Sequence, residues 1–196
     1  MSISELIPLS RDCDVIQIPS GAPAHLPKGT RVRVMQSLGG SYTVADEYGG
    51  MHRLDARDAD AVGLNAAAAQ EPQQSGSLQE KMIWDQLKTI FDPEIPVNIV
   101  DLGLVYSAAI EPGESGKKIK IEMSITAPGC GMANVLKADV ESKLARLPEV
   151  KEVLVDVVLD PPWNPGRMSE AAKLQLGFDS DYGGPSPGDS GFPILR

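Results

Sequence analysis

Residues 117–159 read KKIKIEMSITAPGCGMANVLKADVESKLARLPEVKEVLVDVVL, and this stretch decides the fold. Ile119, Ile121, Met123 and Ile125 alternate with Lys118, Lys120, Glu122 and Ser124. A period of two is that of a strand with one buried face. Ala127-Pro128-Gly129-Cys130-Gly131 breaks the alternation. Met132, Val135, Leu136, Val140, Leu144 and Leu147 then recur at helical spacing until Pro148 ends the run. Val153, Val155, Val157 and Leu159 alternate again, and Pro161-Pro162, which has no N–H to give a ladder, stops them. The spacing thus predicts strand, helix, strand, with a right-handed crossover.

Upstream, Ser77 followed by Glu80 has the pattern of a capping box. Leu78, Met82, Ile83, Leu87, Ile90 and Phe91 predict a helix running to Asp92-Pro93, since a proline disfavours the helical region for the residue before it. Leu104, Tyr106, Ala108 and Ile110 predict the first strand of a hairpin that turns at Glu111 to Gly116. A short helix is expected from about Ser169 to Leu176, and residues 177–196, dominated by Gly, Pro, Ser and Asp, read as a loose tail. The expected fold class is a two-layer α+β arrangement: a helix–strand–strand–helix–strand core domain over residues 78–176, its two helices covering one face of a small sheet.

Residues 65–77 carry no large side chain and hold Pro, Gly and Ser, the composition of a linker. Before it, residues 1–64 read as a small β-rich domain. Val15 to Ile18, Arg31 to Met35, Ser41 to Val44 and Met51 to Leu54 are short strand candidates, punctuated by Gly39-Gly40 and Gly49-Gly50.

The whole chain of 196 residues is 42% hydrophobic and has a formal net charge of −9. Its Lys and Arg residues stand singly or in pairs, so no basic patch suits a phosphate backbone and no nucleic-acid partner is expected. No apolar run reaches the length needed to span a bilayer, and residues 1–9 lack the pattern of a secretory signal, so no membrane partner is expected and the cytoplasm is the expected compartment. The two cysteines, Cys13 and Cys130, form no disulfide framework and are expected as reduced thiols.

Cys130 is the leading candidate for chemistry. Gly129 and Gly131 flank it, and it stands where a strand hands over to a helix. Unpaired N–H groups at a helix start favour negative charge, hence the thiolate, the form that binds soft metals and attacks electrophiles. The alternative is an inert buried thiol. Asp92, Glu94 and Asp101 form an acidic loop that could ligate a metal, meet a partner or hold a proton; Asp92 and Asp101 could equally tie turns through their own backbone. Trp163, set among prolines, could anchor a partner or cover a sheet edge. His25 and His52 stand alone and read as ordinary surface or hairpin residues. One plausible thiolate cannot hold a four-iron cluster by itself. No phosphate loop, dinucleotide fingerprint or nucleophile elbow is present.

Phe91 to Pro96, Ile99 to Tyr106, Thr126 to Met132 with Cys130, and Asp160 to Trp163, in this order, resemble the family of small iron–sulfur assembly proteins that includes SufT, the PaaD-type accessory proteins and the eukaryotic cytosolic targeting factors. Arg11 to Cys13, Ile18 to Gly21, Leu38 to Val44 and Met168 to Ala172 look like the extra segments of its SufT-type members. The resemblance implies a non-enzymatic role in maturing iron–sulfur proteins beside a sulfur-mobilising assembly system. Cys130, with Thr126, Gly129 and Gly131 around it, would match the reactive cysteine, and Asp92, Glu94 and Asp101 the acidic loop. Iron or an iron–sulfur cluster would be held only transiently, with assembly machinery and client apo-proteins as partners; a homodimer could present two copies of Cys130. Two other readings stand beside this one: a metal-free adaptor using the acidic loop and Trp163, and a cysteine-nucleophile enzyme, which needs a nearby base.

Overall fold

The computed structural model describes residues 6–64, 77–113, 116–126 and 131–178. The linker stretch 65–76, the loop residues Ala127 to Cys130 and the tail from 179 onward lie outside the described residues.

The first part is an antiparallel sheet. Its strands are β1 (Ile7–Pro8), β2 (Cys13–Ile18), β3 (Pro23–Leu26), β4 (Arg31–Leu38), β5 (Ser41–Asp46) and β6 (Met51–Asp55), in spatial order β1-β4-β5-β6-β2-β3. A 3₁₀ turn over Ala56–Val62 follows. Gly39 and Gly40 take positive φ, which lets β4 turn tightly into β5. Leu9, Cys13, Val15, Leu26, Val32, Tyr42, Val44, Leu54 and Val62 form its buried cluster.

The second part follows the order α1 (Glu80–Leu87), β7 (Val105–Pro112), β8 (Lys117–Met123), α2 (Ala133–Leu144), β9 (Val150–Val157), a 3₁₀ turn (Pro165–Arg167) and α3 (Glu170–Gln175). Strand β8 is central, antiparallel to β7 and parallel to β9. Ile119, Ile121 and Met123 of β8 are fully buried against Ile83 and Leu87 of α1, Leu136, Val140 and Leu144 of α2, and Val155 of β9.

Several local expectations give way to tertiary contacts. Helix α1 ends at Leu87 rather than Asp92. Beyond Lys88 the backbone bonds to the following loop: Ile99 N–H donates to Ile90 O, Asp92 N–H donates to Val97 O, and Phe91 bridges Asn98. The capping box does not form. The N-cap is Gln79 with no side-chain bond, and Ser77 Oγ donates instead to Glu149 Oε2 at 3.2 Å. Val135 leaves the core stripe of α2 and lines a cleft beside β2 and β3. Strand β9 ends at Val157, and Leu159 is 53% exposed. Ser124, assigned by alternation to the polar face, is buried, because the alternation stops with the strand at Met123 and Ser124 N–H donates to Leu104 O.

Candidate functional site

Asp92 sits in the turn that follows the premature end of α1. Its Oδ1 accepts from Glu94 N–H at 2.8 Å and Ile95 N–H at 3.1 Å, an Asx-type closure of the Asp92-Pro93-Glu94 turn. The residue is buried, and burial pushes its carboxyl above the usual range against the pull of those two donors. Glu94 is exposed beside it; partial desolvation and then the Asp92 charge push its carboxyl up as well. Two neighbouring carboxyls that resist ionisation gain from a nearby cation, whether a metal or a basic side chain.

Asp101 belongs to a different turn. Asn98 Nδ2 donates to its Oδ2 at 2.6 Å, Asn98 Oδ1 accepts from Asp101 N–H at 2.9 Å, and Ser169 N–H donates to its carbonyl. Gly103 closes that turn at φ +70°, and its α-carbon lies so close to the Arg167 backbone that a methyl group there would overlap it. Trp163 pins the same turn from outside, its Nε1–H donating to Leu102 O at 2.7 Å. Tyr106 carries the Arg167 guanidinium over its ring at 3.9 Å and donates from its hydroxyl to Pro161 O at 2.9 Å. The segment after β9 therefore clamps the Asp101–Gly103 turn. Among the described residues no three His, Cys, Asp or Glu side chains gather closely enough to hold a metal ion.

Cys130 and Gly129 lie outside the described residues. Thr126 is half-buried just beyond the end of β8. Ser124 nearby is 1% exposed, and among the described residues its Oγ has no hydrogen-bond partner. Gly131 begins the approach to α2, and a side chain there would overlap the carbonyl of Ser20 in the β2–β3 turn. The other cysteine, Cys13, is buried at 2% exposure, and desolvation pushes its thiol up despite nearby Arg11, which disfavours the ligating thiolate. Neither histidine stands in the second part: His25 Nδ1 meets Asp14 Oδ1 at 3.0 Å, and buried His52 Nε2 meets Asp46 Oδ2 at 2.9 Å.

Sequence reasoning missed the residues that join the first sheet to this region. Thr43 Oγ1 donates to Pro93 O at 3.1 Å, and Gln36 Nε2 donates to Asp92 O at 3.3 Å. Arg53 Nη2 grips both oxygens of Asp139 at 2.8 and 2.6 Å. Burial pushes the Asp139 carboxyl up in spite of Arg53 and Lys143. Nothing in the spacing of these residues marks them, because each pair is joined only by the fold.

The family described as iron-sulfur cluster assembly protein matches residues 80–157. A Porphyromonas gingivalis protein named Fe-S protein maturation auxiliary factor is 42% identical over 99 residues, which are 50% of this chain and 91% of that protein. YitW of Bacillus subtilis, of the same description, is 42% identical over 96 residues, 49% of this chain and 91% of its own. SufT of Staphylococcus aureus, likewise so described, is 36% identical over 88 residues, 45% of this chain and 97% of its own. Half of this chain thus nearly exhausts the length of each relative. The chain belongs to the iron–sulfur cluster assembly protein family, alongside these Fe-S protein maturation auxiliary factors.

Proposed function

We propose that this chain is an accessory factor in assembling iron–sulfur clusters or passing them to client proteins, and that it works in the cytosol as a carrier rather than an enzyme. The observation that carries this reading is the 42% identity over nearly the whole length of a maturation auxiliary factor. Cys130 supplies the sulfur ligand to the cargo, as a thiolate at the approach to α2, with Thr126, Gly129 and Gly131 around it. The Asp92–Glu94 turn is the cation-seeking element. Burial pushes both carboxyls up, and a bound iron ion or a basic partner surface would favour their charged form. Residues 78–176 act as the working unit, and residues 1–64 as a separate unit joined by the linker 65–77. One thiolate per chain suits transient custody of a cluster, and a pair of chains would supply two.

The test is anaerobic reconstitution with iron and sulfide, followed by transfer to an apo-acceptor. Cys130→Ser is expected to lose transfer by at least tenfold. Transfer at the wild-type rate would remove Cys130 from the mechanism.

An adaptor role without cargo has one observation in its favour. The Trp163 indole is fixed by its bond to Leu102 O and only partly buried, the kind of rigid aromatic that anchors a partner. On that reading Cys130→Ser keeps its protein partners in a pull-down, and Trp163→Ala loses them.

A further inference from the structure

The two parts of the molecule do not share a core. One buried cluster draws only on residues 9–62, the other only on residues 78–172. The seam between them is polar. It holds the Arg53–Asp139 ion pair and a set of contacts from the β4–β5 hairpin to residues 89–93.

That hairpin is shaped for its contacts. Tyr42 and Val44 of β5 belong to the first buried cluster, as alternation requires. Thr43 points the other way and is still only 4% exposed, because the second part lies over it. Gln36 stands opposite Thr43, and a bulge puts it there. Val34 pairs with Val44, so regular pairing would next set Met35 against Thr43. The register shifts instead between Val34 and Gln36, and Met35 is left 52% exposed. Two polar side chains thus share one face of the hairpin and reach one turn. Gln36 Nε2 donates to Asp92 O, and Thr43 Oγ1 donates to Pro93 O. Gly39, at φ +64° where β4 turns into β5, lies against Thr89 O too closely for a side chain.

The turn cannot satisfy its own backbone. Its N–H groups are met within the second part: Asp92 N–H donates to Val97 O, and Glu94 and Ile95 N–H donate to Asp92 Oδ1. Ile95 O accepts from Val97 N–H, and Pro96 O from Gln175 Nε2. The carbonyls of Asp92 and Pro93 find their donors, among the described residues, only in the first part. Asp92 Oδ2 and the Glu94 carboxylate accept no hydrogen bond and join no ion pair among the described residues.

We propose that Gln36 and Thr43 are positioning residues: through the carbonyls of Asp92 and Pro93 they hold the turn in the shape that leaves an Asp92 oxygen and the Glu94 carboxylate for a cation. Neither side chain touches the cation. A buried carbonyl stripped of its donor is costly, so a turn without these two would swing towards water and loosen the closure by Asp92 Oδ1. The inference rests on the reading of this turn as the cation-seeking element.

The experiment uses the full chain, with Mn²⁺, which takes oxygen ligands, as the probe. Amide exchange of Glu94 and Ile95 without metal reads the shape of the turn. Manganese broadening of the same two amide signals reads cation affinity, with Glu94→Gln as the background. Thr43→Val keeps the side-chain shape and removes the donor. It is expected to speed exchange at both amides by about tenfold, as the loss of one hydrogen bond predicts, and to weaken manganese binding several-fold. Thr43→Ser keeps the donor and should stay near wild type in both readings, and Gln36→Met should act in the same direction as Thr43→Val. Wild-type exchange in Thr43→Val overturns the proposal, as does faster exchange with manganese affinity unchanged, or a Thr43→Ser variant as perturbed as Thr43→Val. Should Thr43→Val also lose protection across β4–β6, showing that the first sheet itself has loosened, Gln36→Met decides by the same readings. A wild type broadened no more than Glu94→Gln would end the cation reading of the turn, while exchange still decides whether Gln36 and Thr43 set its shape. Manganese binding by the wild type, with exchange unmoved in Thr43→Val, would end the positioning role and leave the cation reading intact.

Discussion

At the scale of single residues, Asp92 carries the most information. It is buried, its Oδ1 ties Glu94 and Ile95, and desolvation raises its carboxyl above the ordinary range. A raised folded-state value means that folding prefers the protonated form. The stabilising contribution is complete below the unfolded value near 3.8 and is lost as pH climbs through the raised one. Asp92→Asn keeps an acceptor for both N–H groups and carries no charge to desolvate. It is expected to melt higher than wild type at neutral pH, with the gap closing as pH falls towards 4, in thermal unfolding followed across pH. Asp92→Ala loses both bonds and should be less stable by about 1–2 kcal/mol in urea titration. An Asn variant that melts lower than wild type at neutral pH would show that the charge is compensated. The sequence left Asp92 open between turn-former and ligand. The first role is visible in its hydrogen bonds, while burial, which sets its charge preference, has no signature in a string of residues.

At the scale of elements, the strength of the sequence signal followed how much of the burial was local. Strand β8 was legible because its alternation is enforced by one sheet face, and Ile119, Ile121 and Met123 are all fully buried. Helix α1 was read too long because Ile90 and Phe91 keep the apolar spacing while their backbone pairs with residues 97–99. Val135 fitted the α2 stripe by spacing, yet it faces the cleft, since a helical stripe specifies an arc and not the neighbour that fills it. The turn at Asp101–Gly103 depends on Gly103, at φ +70° against the Arg167 backbone. Gly103→Ala is expected to cost about 1–2 kcal/mol from the left-handed conformation alone, and more from the overlap. Ser169 caps α3 by accepting from Ala172 N–H at 3.2 Å, so Ser169→Ala should cost about 1 kcal/mol. Chemical denaturation that ranks Ser169→Ala as the costlier of the two would contradict this account of the clamp.

At the scale of the whole molecule, two separate apolar clusters and a polar seam imply two units that lose structure separately. Both tryptophans, Trp84 and Trp163, lie in the second unit, so tryptophan fluorescence, excited selectively over tyrosine, reports on that unit alone. Ile121→Ala opens a cavity in its centre and is expected to lower its stability by roughly 2–5 kcal/mol. The fluorescence transition should move accordingly, while amide exchange in β4–β6 stays as in wild type. Loss of protection in both sheets together would show one cooperative body. The sequence by itself determined the β8–α2–β9 run, the hairpin before it, four strands of the first sheet (β2, β4, β5 and β6, but not β1 or β3) with their glycine turns, and the family's motif set, because periodicity, proline and glycine act within a few residues of where they stand. Tertiary structure alone decided where α1 stops, that Asp92 and Asp101 serve separate turns, that Ser124 is buried, and that Arg53 and Asp139 join the two units. Those outcomes depend on groups distant in sequence coming into contact and excluding water, and such contacts exist only once the chain has folded.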